Sequence, residues 1–285
     1  MKSDGIKRMK HLDGQFKGRN DLNLYYQCWL PVDEPKAILL VVHGLAEHSG
    51  RYSNLVNYFV PRGYGVYGYD QRGHGKSDGL RGYVERFSYF VDDLDIFLRL
   101  VHSRHRNVRV FLVGHSIGGT IATAYTIIHQ DEFDGLILTG ASLSTPTDVA
   151  AGTIFAARIL SLILPKAGLY IINADAISQD NNVVNTYIYD PLVYRGKIRA
   201  RLGVELIKAM VAVKHQISEI HLPILVMHGA ADRLSDPKGS DMLYQKASSP
   251  DKTLKMYEGY YHEIFNEPGR KQVLADVESW LKSHV

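Results

Sequence analysis

Val108–Val113 is an apolar run that passes directly into Gly114-His115-Ser116-Ile117-Gly118. The pattern is that of a strand, a sharp turn and a helix, with a serine at the apex. So tight a turn forces the serine into strained backbone angles, and small residues must stand two positions before and two after it. The strain lifts the hydroxyl clear of the sheet, where a base and a substrate can reach it. The opening of the following helix adds N–H groups that can hold a developing oxyanion. A pentapeptide of this kind also arises as plain packing, so its context decides. Here Gly119-Thr120-Ile121-Ala122-Thr123-Ala124 follows, the small residues that a helix pressed tightly on a sheet requires.

A serine hydroxyl needs a general base at neutral pH, and histidine suits. An acid must then fix the histidine tautomer and stabilise the imidazolium. Among 13 histidines, His262 stands out by position. It lies in Glu258-Gly259-Tyr260-Tyr261-His262-Glu263, just past the last predicted strand. His215 and His221 precede a strand, at its wrong end. His228 lies within a strand, and His115 adjoins the serine and cannot turn onto it. The predicted acid is Asp232, in the post-strand loop His228-Gly229-Ala230-Ala231-Asp232-Arg233. Asp236 is its rival, and a solvated Asp232–Arg233 pair is the plain alternative. Two backbone donors complete an oxyanion hole: the N–H of Ile117 and that of Leu45, in the loop His43-Gly44-Leu45. His43 is expected to brace this loop by hydrogen bonds.

The elements that must position these groups alternate along the chain. Residues 11–30 read as a β-hairpin around Gly18-Arg19-Asn20-Asp21. Strands are predicted at Ala37–Val42, Tyr64–Tyr69, Val108–Val113, Gly135–Thr139, Ile224–His228 and Thr253–Tyr257, and helices over 51–60, 88–104 and 268–284. Strands alternating with helices predict an α/β fold, a mostly parallel sheet flanked by helices. Ligands bind at the carboxyl ends of such strands, and His43, Asp70, Ser116, Asp232 and His262 all follow strands. Residues 142–215, with Pro146, Pro165 and Pro191, break the alternation and show no convincing strand. They are read as an inserted helical cap on a core of 1–141 and 216–285; ordinary sheet-flanking helices are the alternative.

The bulk numbers exclude several classes. With 285 residues and 45% hydrophobic content, the chain can bury one large core. Its 33 basic and 30 acidic residues leave a formal charge of +3, with no broad nucleic-acid footprint. Cys28, the sole cysteine, has no partner for an internal disulfide. No apolar signal segment opens the N-terminus, and no run reaches membrane-spanning length. A cytoplasmic location is expected. No metal-ligand pattern appears, and the serine chemistry needs no cofactor.

Five blocks occur in one order: His43-Gly44-Leu45-Ala46-Glu47-His48-Ser49-Gly50-Arg51-Tyr52; Asp70-Gln71-Arg72-Gly73-His74-Gly75-Lys76-Ser77; Gly114-His115-Ser116-Ile117-Gly118-Gly119; Gly229-Ala230-Ala231-Asp232-Arg233-Leu234; and Tyr257-Glu258-Gly259-Tyr260-Tyr261-His262-Glu263. On these blocks the chain resembles the α/β-hydrolase superfamily and, within it, the monoglyceride lipases and related serine hydrolases, over nearly its whole length. The resemblance implies the α/β-hydrolase fold, with Ser116 as nucleophile, Asp232 as acid, His262 as base, and Leu45 and Ile117 as oxyanion donors. It also implies a buried Glu47–Arg51 pair beside the oxyanion loop and Tyr187 in the cap near the alcohol end of the site, with all three as candidate substrate-binding residues. Leu45 and Ile117 depart from the residues usual there.

The implied function is a serine carboxylic-ester hydrolase, a monoacylglycerol lipase working through an acyl-enzyme on a small lipid ester. A lysophospholipase or generalist carboxylesterase is the nearest alternative. A ligand-binding module on a hydrolase scaffold is the non-enzymatic one. Residues 152–172 hold many aliphatics, two positive charges and no acid. They read either as a lid that touches a membrane or micelle surface or as a helix packed on the body.

Overall fold

Ala37–Val42 carries six apolar residues and is buried along its whole length. Alternate residues of a strand face opposite sides, so such a run needs cover on both faces. It finds that cover at the centre of the sheet. The structure is a computed structural model describing residues 9–144 and 151–285, with residues 151–155 described by backbone alone. The N-terminal residues 1–8 and Pro146, both used in the sequence reading, lie outside the described residues.

The chain begins with β1 (Lys10–Lys17) and β2 (Asn23–Leu30), which form the expected antiparallel hairpin. Next come β3 (Ala37–Val42), α1 (Ser53–Phe59), β4 (Gly65–Tyr69), α2 (Ser88–Arg104), β5 (Arg109–His115), α3 (Ile117–His129) and β6 (Gly135–Thr139). A long excursion carries α4 (Ala151–Ile163), β7 (Gly168–Tyr170), α5 (Asn181–Tyr189), β8 (Ile198–Arg199) and α6 (Ala200–Gln216). Alternation resumes with β9 (Ile224–Gly229), α7 (Lys238–Lys246), β10 (Lys252–Tyr257) and α8 (Arg270–Lys282). Eight strands form one sheet in the order β1-β2-β4-β3-β5-β6-β9-β10. β1 and β2 are antiparallel to each other, and β2 to β4; every later pairing is parallel.

Strand alternation divides the core. Ile38, Leu40 and Val42 of β3 pack with Phe97 of α2, Ile121 of α3 and Leu206 of α6. Leu39 and Val41 face the other way, onto Val56 of α1 and Val277 and Trp280 of α8. Strand β5, which leads into Ser116, lies between β3 and β6.

Two features differ from the sequence expectation. The excursion contains a small antiparallel pair, β7 with β8 (Gly168 opposite Arg199, Tyr170 opposite Ile198). A ladder this short is held by backbone bonds and leaves no alternation of side chains to read. Helix α7 was also not foreseen. Its first turn holds Gly239 and Ser240, weak helix formers that tertiary packing overrides.

The excursion is joined to the body at its α5 and α6 ends. α6 packs on α3, behind the serine turn. His48 Nε2 lies 2.9 Å from Asp190 Oδ2, Tyr194 N–H donates to Ala46 O at 2.8 Å, and Glu263 N–H donates to Ile177 O at 2.8 Å.

Candidate active site

Ser116 sits between β5 and α3 with φ 54° and ψ −121°, in the left-handed half of backbone space that side chains other than glycine avoid. The flanking glycines hold that geometry. A Cβ on Gly118 would stand 2.0 Å from Val42 O, and one on Gly114 would stand 2.8 Å from both Gly118 O and Gly119 Cα. The turn therefore closes only with hydrogen at both positions. Ser116 is buried, and its Oγ lies 3.4 Å from Ser142 Oγ, which in turn lies 2.7 Å from Ser235 Oγ.

His262 lines the same cavity as Ser116. Its Nδ1–H donates to Asp232 Oδ2 at 2.7 Å. The sequence reading expected the serine hydroxyl bonded to this imidazole. In the structure the hydroxyl pairs with Ser142 instead, and no Ser116–His262 hydrogen bond forms among the described residues. A serine hydroxyl moves by rotation about one bond, and such contacts commonly tighten only around substrate.

Asp232 is saturated. Oδ1 accepts the backbone N–H groups of Leu234 at 2.7 Å and Ser235 at 3.1 Å. Oδ2 accepts from His262 and, at 3.0 Å, from His228 Nε2. Burial alone would raise this carboxyl. The His262 imidazole beside it and the two imidazole hydrogen bonds instead hold it far below the usual carboxylate range. His262 shows the reciprocal balance. Burial would lower it, but the Asp232 charge and hydrogen bond, with Glu263 and Glu47 nearby, leave it above its ordinary 6.5. His115 lies against it, ring centroids 4.6 Å apart. Burial, and then His262, keep His115 well below its ordinary value, hence neutral.

The sequence places His228 within a strand, yet it touches Asp232 directly. Its Nε2 faces only acceptors, Asp232 Oδ2 and Ser235 O at 3.2 Å, so that nitrogen carries the proton. Its Nδ1 then accepts from Ser240 Oγ at 2.6 Å. The available signal was spacing: His228 and Asp232 flank the turn at Gly229, where any Cβ would strike Tyr261 O at 2.1 Å. Asp236 is remote from this work and accepts the Lys238 N–H at the start of α7. Arg233 does not pair with Asp232; it donates to the Tyr261 hydroxyl at 2.8 Å.

The oxyanion loop follows β3. His43 braces it as expected: Nδ1–H donates to Gly44 O at 2.7 Å, and Nε2 accepts the Gln71 N–H at 2.9 Å. Glu47 Oε1 accepts the Gly44 N–H and, at 2.8 Å, the Tyr52 hydroxyl. These bonds fix the loop so that Leu45, like Ile117 across from it, lines the cavity. The N–H groups of Leu45 and Ile117 donate to no protein acceptor among the described residues.

Glu47 and Arg51 form the expected buried pair, and a third member joins them. Arg51 Nη2 donates to Glu263 Oε1 at 2.8 Å and Oε2 at 2.7 Å, its Nε lies 3.4 Å from Glu47 Oε2, and its guanidinium covers the Tyr187 ring at 4.8 Å. Glu47, Glu263 and Tyr187 line the main cavity. Arg51 stands behind them, beside a void of about 10 Å³.

The main cavity measures about 550 Å³. One end carries Ser116, His262, Glu47, Glu263 and Tyr187; the rest is walled by aliphatic side chains such as Leu206, Ile207, Met210, Ile172 and Ile198. A hydroxyl, an imidazole on a carboxylate and two open amide donors at the head of an apolar chamber can perform acyl transfer. Arg199 is the one cationic side chain among the described lining, and its Nε and Nη1 are spent on Arg81 O at 3.0 Å and Lys166 O at 2.7 Å. Arg72 binds Asp93, and Arg81 donates to Gly75 O.

Comparison with known proteins agrees with this architecture. The family described as "Serine aminopeptidase, S33" matches residues 33–269. A monoacylglycerol lipase of Mycolicibacterium smegmatis is 35% identical over 270 residues, covering 95% of this chain and 96% of that protein. The Homo sapiens monoglyceride lipase is 34% identical over 279 residues, covering 97% and 90%. The crystal structure of Paleococcus ferrophilus monoacylglycerol lipase superposes with a TM-score of 0.80 at 29% identity, covering 97% of this chain and all of that one. The fold is that of the α/β hydrolases, and the chain belongs to the S33 serine hydrolase family, among the monoglyceride lipase-like proteins.

Proposed function

We propose that the chain is a monoacylglycerol lipase, with Ser116, Asp232 and His262 as its catalytic triad and Leu45 and Ile117 as its oxyanion donors. The observation that carries this reading is the shape of the 550 Å³ cavity: one polar end at the serine and long aliphatic walls. In the proposed cycle His262 Nε2 takes the Ser116 proton as Oγ attacks the ester carbonyl. The oxyanion rests on the two amides. The imidazolium protonates the departing glycerol oxygen, leaving an acyl-enzyme. Water, deprotonated by the same imidazole, then releases the fatty acid and restores Ser116.

The alcohol end falls to Glu47 and Tyr187, with Arg51 holding both from behind. This end also weighs against an aminopeptidase, whose substrate ammonium needs a free carboxylate. Glu263 is occupied by Arg51 and Asn266, and Glu47 by Gly44, Tyr52 and Arg51. Residues 142–215 act in this proposal as a lid on a core of 1–141 and 216–285. Ile163 and Leu164 at the end of α4, and Leu169 to Ile171 in and after β7, are exposed aliphatic or aromatic side chains along one stretch of it. That edge supports transient contact with a lipid surface by a cytoplasmic protein. No described helix is long and apolar enough to cross a membrane.

The test is a hydrolysis panel of monoacylglycerols, lysophospholipids, triacylglycerols and p-nitrophenyl esters. Monoacylglycerols should give the highest kcat/KM. A clear preference for lysophospholipids would replace this reading, since it requires a phosphate site the cavity cations do not supply.

His228 bears on the same chemistry. It competes with His262 for one oxygen of Asp232. His228→Leu should strengthen the hold of Asp232 on the imidazolium and move the acidic limb of kcat/KM to higher pH. Losing a hydrogen bond to a charged group costs about 1.5–3 kcal/mol, so the variant should also unfold at lower temperature. His228→Gln, which keeps an N–H donor, should return the limb toward wild type; no difference between the two variants would remove His228 from the mechanism.

A further inference from the structure

One face of α6 forms a wall of the main cavity through Gly203, Leu206, Ile207 and Met210, spaced i, i+3, i+4 and i+7. Three of these are large and aliphatic, and the fourth has no side chain at all. Glycine within a helix is a poor choice, because the unfolded chain has more freedom to lose and no side chain covers the backbone. Two ordinary reasons for it are missing here. Gly203 lies inside regular helix rather than at a positive φ, so no special conformation demands it. No close approach by the described residues demands it either: a Cβ built there meets none of their heavy atoms within 4 Å, the sole such case among the described glycines. The space in front of Gly203 is the lumen of the cavity.

Gly203 also stands at a particular end of that wall. Arg199, one turn earlier, pairs with Gly168 across the β7–β8 ladder. The adjoining Leu169 and Tyr170 line the cavity while remaining about half exposed to solvent, at 46% and 51%. The wall therefore runs from Met210, packed against the core, to Gly203 beside the β7–β8 ladder, whose cavity-lining residues are half exposed.

We infer that Gly203 is a length gate: its missing side chain keeps the β7–β8 end of the lumen wide enough for the distal part of a long, unbranched acyl chain. This rests on the ester-hydrolase reading and adds to it the residue that sets chain length. A Cβ at position 203 meets no atom of Ser116, His262 or the oxyanion loop within 4 Å, so a larger side chain there grows into the lumen and not onto the reacting groups. Long chains lose their path, and short ones end before the obstruction.

The experiment compares Gly203→Leu and Gly203→Phe with wild type on monoacylglycerols from butanoyl to hexadecanoyl, with melting temperature recorded for each. The ratio of kcat/KM for hexadecanoyl over butanoyl ester should fall by about tenfold or more, because a pocket discriminates by 10–200-fold for each methylene it cannot house. The loss should lie mainly in KM. Gly203→Ala should raise the melting temperature, since nothing is near enough to be strained by the methyl group. Should Gly203→Phe fail to fold, Gly203→Leu carries the test. A folded variant whose chain-length profile runs parallel to an active wild type overturns the gate alone. A wild type that hydrolyses none of the esters overturns the hydrolase reading and the gate with it. A Gly203→Ala that melts lower shows that the glycine answers to packing, and it too overturns the gate.

Discussion

Ser116→Ala and His262→Ala are each expected to lower kcat by on the order of a millionfold, and the double variant by no more than either alone. The nucleophile and its base act as one unit: without the imidazole the hydroxyl stays protonated, and without the hydroxyl the imidazole has nothing to activate. The Ser116 Oγ makes one long contact to Ser142, so the alanine variant, which loses only that oxygen, should keep its melting temperature. An alkyl fluorophosphonate should label the folded wild type stoichiometrically and leave Ser116→Ala unlabelled. His262→Ala should label far more slowly, because the attacking oxygen must form without a base. A folded wild type that takes no label would favour the ligand-binding alternative, and a His262→Ala variant near wild-type turnover would end the triad assignment. Wild-type activity should fall tenfold per pH unit on the acid side of a limb above pH 6.5. The active imidazole is neutral, and Asp232 holds its proton affinity above the ordinary value.

What could be read from the chain beforehand follows the strength of local constraint. The serine turn was legible because its geometry admits very few side chains: Gly118 faces Val42 O with no room for a methyl group. The central strands were legible because β3 must be apolar on both faces. His262 was singled out by its place after the last strand, and its bond to Asp232 was not needed for that. Contacts made by backbone, or between residues distant in the chain, left no such mark. The β7–β8 ladder is one case. Glu263 is another: it adjoins the base in sequence, but its pairing with Arg51 spans 212 residues and appears only in the folded chain. Arg51 itself was expected at the substrate. Two carboxylates and the Tyr187 ring surround its guanidinium, which places it one layer back. His228 shows a third kind of case, a residue whose strand position was read correctly and whose bond to Asp232 was not. The end of a buried strand can still reach the loop that follows it.

Asp232→Asn should lower kcat by about 10⁴-fold, while Asp236→Asn changes it by less than about twofold. The difference comes from donors and acceptors. Asp232 Oδ1 accepts two backbone N–H groups, so in the asparagine variant the carbonyl oxygen must stay there. The amide nitrogen then takes the place of Oδ2, where it meets two imidazole N–H donors, those of His228 and His262. Donor against donor is repulsive, and the simplest relief is for His262 to move its proton to Nε2. That is the nitrogen that must be bare to accept from Ser116, so the base is lost although the ring stays in place. Loss of the carboxylate charge also removes what holds the imidazole above its ordinary pKa, leaving burial to push it down. The residual activity should therefore show its acidic limb at lower pH than wild type. Asp236 offers one carbonyl-like oxygen to the Lys238 N–H, and asparagine supplies the same acceptor. Kinetics for the two variants between pH 5 and 9 would decide the matter: a severe Asp236→Asn beside a mild Asp232→Asn would transfer the acid to the other loop position and break the geometry on which the proposed cycle stands.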